Sequence, residues 1–242
     1  MITFLDYLNE GITLSGSDLS FLYSNNKDAK VSTSFGKDKK LSPFKKKIND
    51  DLFSYSLYIS KDATEVLNAV KKTNLGSDSV KSFLTRSAIY GARVLRKHSP
   101  DIIVTPKSSS DLAKEFAKSI GKRTNYDLFV DSFEKNSDIG KIGIDEKNPK
   151  ISDEIIKRMR TALRTAKKKG FLSIKAFLPH HRKFLTNLFE LVDPKISSKV
   201  EGKTVVIVDD IMTSGTTANQ ISNILKNNGA EKVIVLTLFK AS

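Results

Sequence analysis

Apolar residues in this chain follow two different periodicities. Short runs that are apolar throughout occur at 102–105 (IIVT), 205–208 (VVIV) and 233–239 (VIVLTLF), and YDLFVDSF at 126–133 resembles them. Such runs predict strands that are buried on both faces. Before residue 60, short mixed segments such as ITFLDYL and LFSYSLYIS alternate with lysine-rich polar stretches, which predicts a few strands and loops.

Between these runs, apolar residues recur at helical spacing. The segment 78–98 is predicted to be a helix with one face inward. The segment 108–121 is predicted to hold a second helix, with Ser110 as its N-cap and Gly121 as its end. A helix after residue 215 should end at Gly229. The inward positions of the three predicted helices are Val80, Leu84, Ala88, Gly91 and Leu95, then Leu112, Phe116 and Ile120, then Ile221, Ile224 and Leu225.

Apolar strands that alternate with amphipathic helices predict an α/β fold. We expect a parallel sheet of about five strands flanked by helices on both faces. Residues 1–60 are predicted to form a small N-terminal hood, and residues 61–242 the core domain.

The segment at about 134–203 fits this alternation least well and is predicted to be a basic insert or lid. Residues 141–203 hold 16 Lys or Arg against 7 Asp or Glu. Within this segment, the spacing of apolar residues over 155–170 predicts a helix whose apolar stripe is Ile155, Met159, Leu163 and Ala166. This helix is either a surface helix packed by that stripe or an anion-binding arm.

Composition narrows the function classes. The chain has no cysteine, which excludes disulfides, thiolate metal sites and a cysteine nucleophile, and favours a cytoplasmic protein. No apolar run is long enough to cross a bilayer, so we expect neither a membrane span nor a signal peptide. The net charge of +14 attracts polyanions, whether nucleic acid or phosphorylated metabolites.

The sharpest chemical signal is VVIVDDIMTSGTT at 205–217. A buried strand brings two adjacent carboxylates, Asp209 and Asp210, to its carboxyl end, where ligands bind in open parallel sheets. The loop that follows enters a helix, so its free N–H groups can hold an anion. Its hydroxyls, on Thr213, Ser214, Thr216 and Thr217, add donors, and Gly215 allows close backbone approach. Carboxylates repel phosphate, so a phosphorylated sugar with a vicinal diol satisfies both halves of the motif.

This stretch resembles the phosphoribosyl diphosphate (PRPP) motif of type I phosphoribosyltransferases. The resemblance implies that Asp209 and Asp210 hold the ribose hydroxyls with Mg²⁺ close by, and that Thr213 to Thr217 bind the 5-phosphate. It also implies a pyrophosphate loop in IIVTPKSSS, with Lys107, Ser108 and Ser109. Asp209, Asp210 and Lys107 are then the predicted catalytic residues.

Within that superfamily the chain is most similar to the ComF-like group. The similarity lies in the order of TPKSSS, KRMRTALRTAKKKG, HRKFLTNLFEL and VVIVDDIMTSGTT over about residues 100–242. The chain departs from that group because it lacks the usual N-terminal cysteine zinc module.

The resemblance implies transfer of 5-phosphoribose from PRPP to a nitrogen nucleophile, with Mg²⁺ as cofactor and release of pyrophosphate. The alternative is a catalytically silent PRPP sensor that binds nucleic acid through its basic segment. Weak nucleic-acid binding is compatible with either function, and a homodimer is left open.

Overall fold

Twelve strands and five α-helices are seen in the computed structural model, which describes residues 13–15, 18–20, 31–33, 44–60, 78–108, 110–173, 176–178 and 180–241. The strands are β1 (Thr13–Ser15), β2 (Asp18–Ser20), β3 (Val31–Thr33), β4 (Phe44–Lys47), β5 (Phe53–Ser60), β6 (Ile102–Pro106), β7 (Asp127–Lys135), β8 (Gly143–Ile144), β9 (Leu185–Thr186), β10 (Phe189–Leu191), β11 (Thr204–Met212) and β12 (Lys232–Ala241). The helices are α1 (Asp78–Arg96), α2 (Leu112–Gly121), α3 (Asp153–Lys169), α4 (Pro194–Lys199) and α5 (Thr216–Asn227).

The main sheet has the order β10-β7-β6-β11-β12-β5-β3, and β4 also pairs with β5. Its five central strands, from β7 to β5, run parallel. The outer strands β10, β3 and β4 pair antiparallel with their neighbours. The predicted α/β fold with a parallel sheet of about five strands is confirmed.

Each face of the sheet is covered by its own apolar cluster. Successive residues of β11 point to opposite faces, so that Val206 and Val208 pack with α1 and α2, whereas Val205 and Ile207 pack with α3 and α5. All four side chains are fully buried. Burial on both faces is the physical reason why this strand is apolar throughout.

The predicted helix faces are confirmed, and one predicted cap is wrong. Helix α2 begins after Asp111 rather than Ser110, and the Asp111 side chain makes no capping hydrogen bond to the described residues. Helix α3 has both caps, since the Ser152 hydroxyl accepts from the Ile155 amide and Gly170 is left-handed with φ of 71°. The stripe of α3 is buried at Met159, Leu163 and Ala166, as expected for a helix packed by that stripe.

The hood predicted for residues 1–60 falls largely outside the described residues, and the segment ITFLDYL falls wholly outside them. Strand β5 lies on the hood side of the expected boundary at residue 60, yet it pairs with β12 over seven residue pairs in the main sheet. The hood role of residues 1–60 therefore stays a prediction, and a boundary at residue 60 would separate β5 from the sheet that it completes.

The segment 134–203 contributes to the core rather than lying apart from it. Strand β10 extends the sheet beyond β7, and Phe184, Leu185, Leu188 and Phe189 join the cluster under α5. The side chain of Gln220 in α5 donates to the Leu185 carbonyl. These contacts join the segment to the sheet, and its role as an insert or a lid stays a prediction. No helix in the described part of the chain is long and apolar enough to span a membrane.

Candidate functional site

Two adjacent carboxylates lie at the carboxyl end of β11. Asp210 is buried, with 5% of its surface exposed, and Asp209 is half-buried. The Asp210 amide donates to Asp209 Oδ1 at 2.8 Å, which fixes the orientation of the Asp209 carboxylate. Because β11 pairs with β6 and β12 on its two sides, both carboxylates lie near the middle of the sheet edge rather than at its rim.

The loop 213–217 leads directly into the first turn of α5. Gly215 has φ of 82°, and its carbonyl accepts the Asn219 amide at 2.8 Å as the helix begins. The hydroxyls of Ser214 and Thr216 are 2.9 Å apart, and Thr213 and Ser214 are exposed. The arrangement places hydroxyls and the N-terminus of a helix at one point, which suits an anionic group.

The predicted pyrophosphate loop follows β6. The Lys107 amide donates to the Phe133 carbonyl at 2.7 Å, and its ammonium is 3.0 Å from Glu134 Oε2. Ser108 is exposed, and Ser109 lies outside the described residues. The Ser110 hydroxyl is buried and has no hydrogen-bond partner within the described part of the chain. The structure thus gives Lys107 a carboxylate partner that the sequence did not predict.

Both loops lie at the same edge of the sheet. Strands β6 and β11 are parallel, with Val104 opposite Ile207, so their carboxyl ends reach this edge together. On the other side of β11, Asp209 is opposite Thr237 of β12, which in turn is opposite Ser56 of β5. The Ser56 and Thr237 hydroxyls are 2.7 Å apart and fully buried, which fixes this side of the edge.

A bulge in β7 adds a second ion pair near the 107–111 loop. Val104 is opposite Phe129 whereas Pro106 is opposite Phe133, so β7 carries two extra residues there. Asp131 sits in this bulge with φ of 54°, and its amide donates to the Thr105 hydroxyl at 2.8 Å. Its carboxylate is 2.5 Å from the ammonium of Lys114. The hydrogen bond to Asp131 raises the pKa of Lys114, so this lysine stays charged.

The hairpin of β4 and β5 contacts the 213–217 loop, which the sequence did not predict. The Lys46 ammonium donates to the Thr213 carbonyl at 3.0 Å, and Nδ2 of the Asn49 side chain donates to Asn219 Oδ1 at 2.7 Å. A Cβ added at Gly215 would lie 3.2 Å from Ile48 Cγ2. The sequence signalled this contact only through the lysine-rich composition of 45–47, because Asn49 and Asn219 lie about 170 residues apart.

The donor set at this edge fits a metal ion only together with a ligand. Within the described residues, no group of three or more His, Cys, Asp or Glu side chains could hold a metal ion. Mg²⁺, however, is commonly bound by one or two carboxylates together with water and substrate phosphates. Asp209 and Asp210 fit that role. The adjacent histidines His180 and His181 do not, because Mg²⁺ prefers oxygen ligands.

Three comparisons relate the chain to known proteins. It is 38% identical over 71 residues to the transcriptional regulator GfcR of Methanobrevibacter smithii, which is 29% of this chain and 35% of that protein. The chain thus spans about a third of the length of this curated relative.

Solved structures resemble the chain more distantly. A purine phosphoribosyltransferase from Pyrococcus horikoshii is 13% identical, with 65% of this chain and 81% of that chain covered and a TM-score of 0.35. A hypoxanthine phosphoribosyltransferase from Staphylococcus aureus is 14% identical, with 65% and 62% covered and a TM-score of 0.35.

The family model of the phosphoribosyl transferase domain matches residues 92–242, more than half of the chain. The matched region contains β6, the 107–111 loop, β11 with its two carboxylates, and the 213–217 loop. The chain belongs to the phosphoribosyl transferase domain family.

Proposed function

We propose that the protein transfers 5-phosphoribose from PRPP to a nitrogen nucleophile and releases pyrophosphate. The observation that carries this proposal is the placement of Asp209, Asp210 and the 213–217 loop at one sheet edge, together with the Lys107 loop. Acidic and anion-binding groups side by side match a ligand that has a diol and a phosphate at opposite ends of one sugar.

The two carboxylates have different surroundings and different proposed roles. Asp209 is half-buried and accepts the Asp210 amide, so it is held toward the sheet edge, where it can accept hydrogen bonds from the ribose 2′ and 3′ hydroxyls. Asp210 is buried, and its charge favours the positive charge that develops on the ribose as the C1–O bond breaks.

The 213–217 loop is assigned to the 5-phosphate. Thr213, Ser214, Thr216 and Thr217 offer hydroxyl donors, and Gly215 brings the backbone close. Held at this end, the sugar is oriented with its C1 toward the 107–111 loop across the same edge.

Lys107, Ser108 and Ser109 are assigned to the leaving pyrophosphate. The Lys107 ammonium contacts Glu134, and the Lys107 side chain is 62% exposed, so a phosphate oxygen can reach it without unfolding the loop. Mg²⁺, held by Asp209 or Asp210 and ligand oxygens, would neutralise the charge on the phosphates. The carboxylates and Lys107 together position the sugar and the leaving group for displacement.

Pyrophosphate release tests the proposed reaction. The protein is incubated with PRPP and Mg²⁺ and with a panel of purine and pyrimidine bases and other amines. We expect release that depends on one acceptor, and Lys107→Gln should lower kcat/KM about a hundredfold because it removes a charge that stabilises the leaving group. Lys122→Gln, which removes an exposed lysine just beyond α2, is the matched control and should change little. A preparation that binds PRPP yet releases no pyrophosphate with any acceptor would contradict the enzyme function.

The similarity to a transcriptional regulator favours a second candidate, a PRPP-sensing protein that binds nucleic acid. Helix α3 would supply the basic surface, since Lys157, Arg164, Lys167 and Lys168 are exposed. Part of its charge is already neutralised, because Arg160 makes two hydrogen bonds to the Glu146 carboxylate and Arg158 pairs with Glu154. That pairing weakens the attraction of this helix face for a polyanion.

Salt dependence separates the two candidates. We expect only weak binding of duplex or single-stranded nucleic acid, with log affinity falling against log salt concentration in proportion to the phosphates neutralised. Replacing Arg164, Lys167 and Lys168 by Gln should flatten that slope. Nanomolar, sequence-selective binding at physiological salt would favour the regulator.

A further inference from the structure

The turn between β4 and β5 is held firmly against the 213–217 loop. Ile48 packs into the cluster on this face of the sheet, and its amide donates to the Leu52 carbonyl at 2.9 Å to close the turn. Asn49 ties the turn to the first turn of α5 through Asn219. The turn is therefore a fixed wall of the site, although it lies about 170 residues away in sequence.

Lys46 lies in β4, close to this turn, and its side chain points at the 213–217 loop. Its ammonium contacts the Thr213 carbonyl at 3.0 Å, and the side chain is half-buried. The neighbouring lysines are exposed and engaged elsewhere, since Lys45 lies over the Phe53 ring and Lys47 pairs with Asp50. No carboxylate forms an ion pair with Lys46 among the residues that the structure describes.

The loop itself lacks a cation. Residues 211–220 (IMTSGTTANQ) contain no Lys, Arg or His, and two carboxylates directly precede them. A phosphate dianion bound there by neutral donors alone would lie close to the negative charges of Asp209 and Asp210. An ammonium within reach offsets that repulsion, and a hydrogen bond from a charged donor is stronger than one from a neutral donor.

We propose that Lys46 is a further binding residue for the 5-phosphate of PRPP. This inference rests on the proposed function, because it assumes that the 213–217 loop holds that phosphate. When the phosphate binds, the Lys46 ammonium exchanges the Thr213 carbonyl for a phosphate oxygen. The hairpin then contributes to the site through charge and not only through packing.

The test compares three substitutions by calorimetric titration in the presence of Mg²⁺. Lys46→Gln removes the charge but keeps a polar side chain that is one bond shorter, and Lys46→Arg keeps the charge. Lys47→Gln removes the same charge from the opposite face of β4 and is the matched control. The probes are PRPP, ribose 5-phosphate and pyrophosphate.

We expect Lys46→Gln to weaken PRPP and ribose 5-phosphate about tenfold or more, the lower end of what a charged hydrogen bond contributes. Pyrophosphate affinity should stay unchanged, Lys46→Arg should retain most of the affinity, and Lys47→Gln should match the wild type. Wild-type affinity in Lys46→Gln would overturn the inference while leaving the proposed function intact. An equal loss for pyrophosphate would also overturn it. If the wild type binds neither PRPP nor ribose 5-phosphate, the proposed function fails as well.

Discussion

We expect PRPP with Mg²⁺ to stabilise the wild-type protein, and replacing both Asp209 and Asp210 by Asn to remove that stabilisation. Ligand at a hundred times its dissociation constant stabilises the native state by about 2.7 kcal/mol. For a chain of this size that corresponds to a rise in Tm of roughly 5–10 °C. The variant should show no such rise, because an amide is a weaker acceptor for ribose hydroxyls and does not attract Mg²⁺.

Asparagine is chosen because it is close in shape to aspartate. Its side-chain oxygen can still accept the Asp210 backbone amide, as Asp209 Oδ1 does at 2.8 Å, so local geometry is retained. Thermal unfolding of the wild type and the variant is measured with and without ligand. The quantity compared is the ligand-induced shift in Tm of each protein, not its Tm.

Asp101→Asn is the matched control for this experiment. Asp101 Oδ2 also accepts a backbone amide at 2.8 Å, that of Thr204, but at the other end of β11. Its substitution should lower Tm slightly and leave the ligand-induced shift as in the wild type. A full shift in the Asp209/Asp210 variant would mean that PRPP binds elsewhere.

Gly215→Val will both destabilise the protein and abolish PRPP binding. Gly215 has φ of 82°, where a side chain costs about 1–2 kcal/mol. A Cβ there would also meet Ile48 Cγ2 at 3.2 Å and Met212 Sδ at 3.6 Å, and overpacking of this kind costs about 1–3 kcal/mol. The added side chain would push the hairpin from the loop and block close approach of a phosphate.

Gly202→Val is the control that separates the cost of backbone strain from the cost of the contact between position 215 and Ile48. Gly202 has φ of 65°, and a Cβ there would meet nothing within 4 Å. This variant should lose only the strain energy and bind PRPP normally. Urea unfolding and PRPP titration are measured for both variants at a temperature where both are folded. Equal stability loss and equal PRPP affinity in the two variants would contradict the role of Gly215 in the site.

The sequence predicted the central sheet well because burial dictates its composition. Strands β6, β11 and β12 are covered on both faces, so almost every position is apolar and the runs are easy to detect. The positions of Asp209, Asp210 and the 213–217 loop could also be predicted, since these residues directly follow one of these apolar runs in the sequence.

Features that depend on long-range pairing were not predictable. The docking of the β4–β5 turn on Asn219, the pairing of Lys107 with Glu134 and the Asp131 bulge all depend on register between distant segments. Periodicity reports which face a residue prefers, but not which partner it meets. The missing N-cap at Ser110 has a local origin, because α2 begins one residue later, after Asp111.

We propose that residues 107–111 and 209–217 form one PRPP site at the carboxyl edge of the sheet. Amide hydrogen exchange, followed with and without saturating PRPP and Mg²⁺, is the direct test, because a ligand bound there shields the backbone amides of both segments from water. We expect slower exchange in peptides that cover both segments and in the β4–β5 turn. Protection confined to α3 and its neighbours, with both segments unaffected, would contradict this proposal.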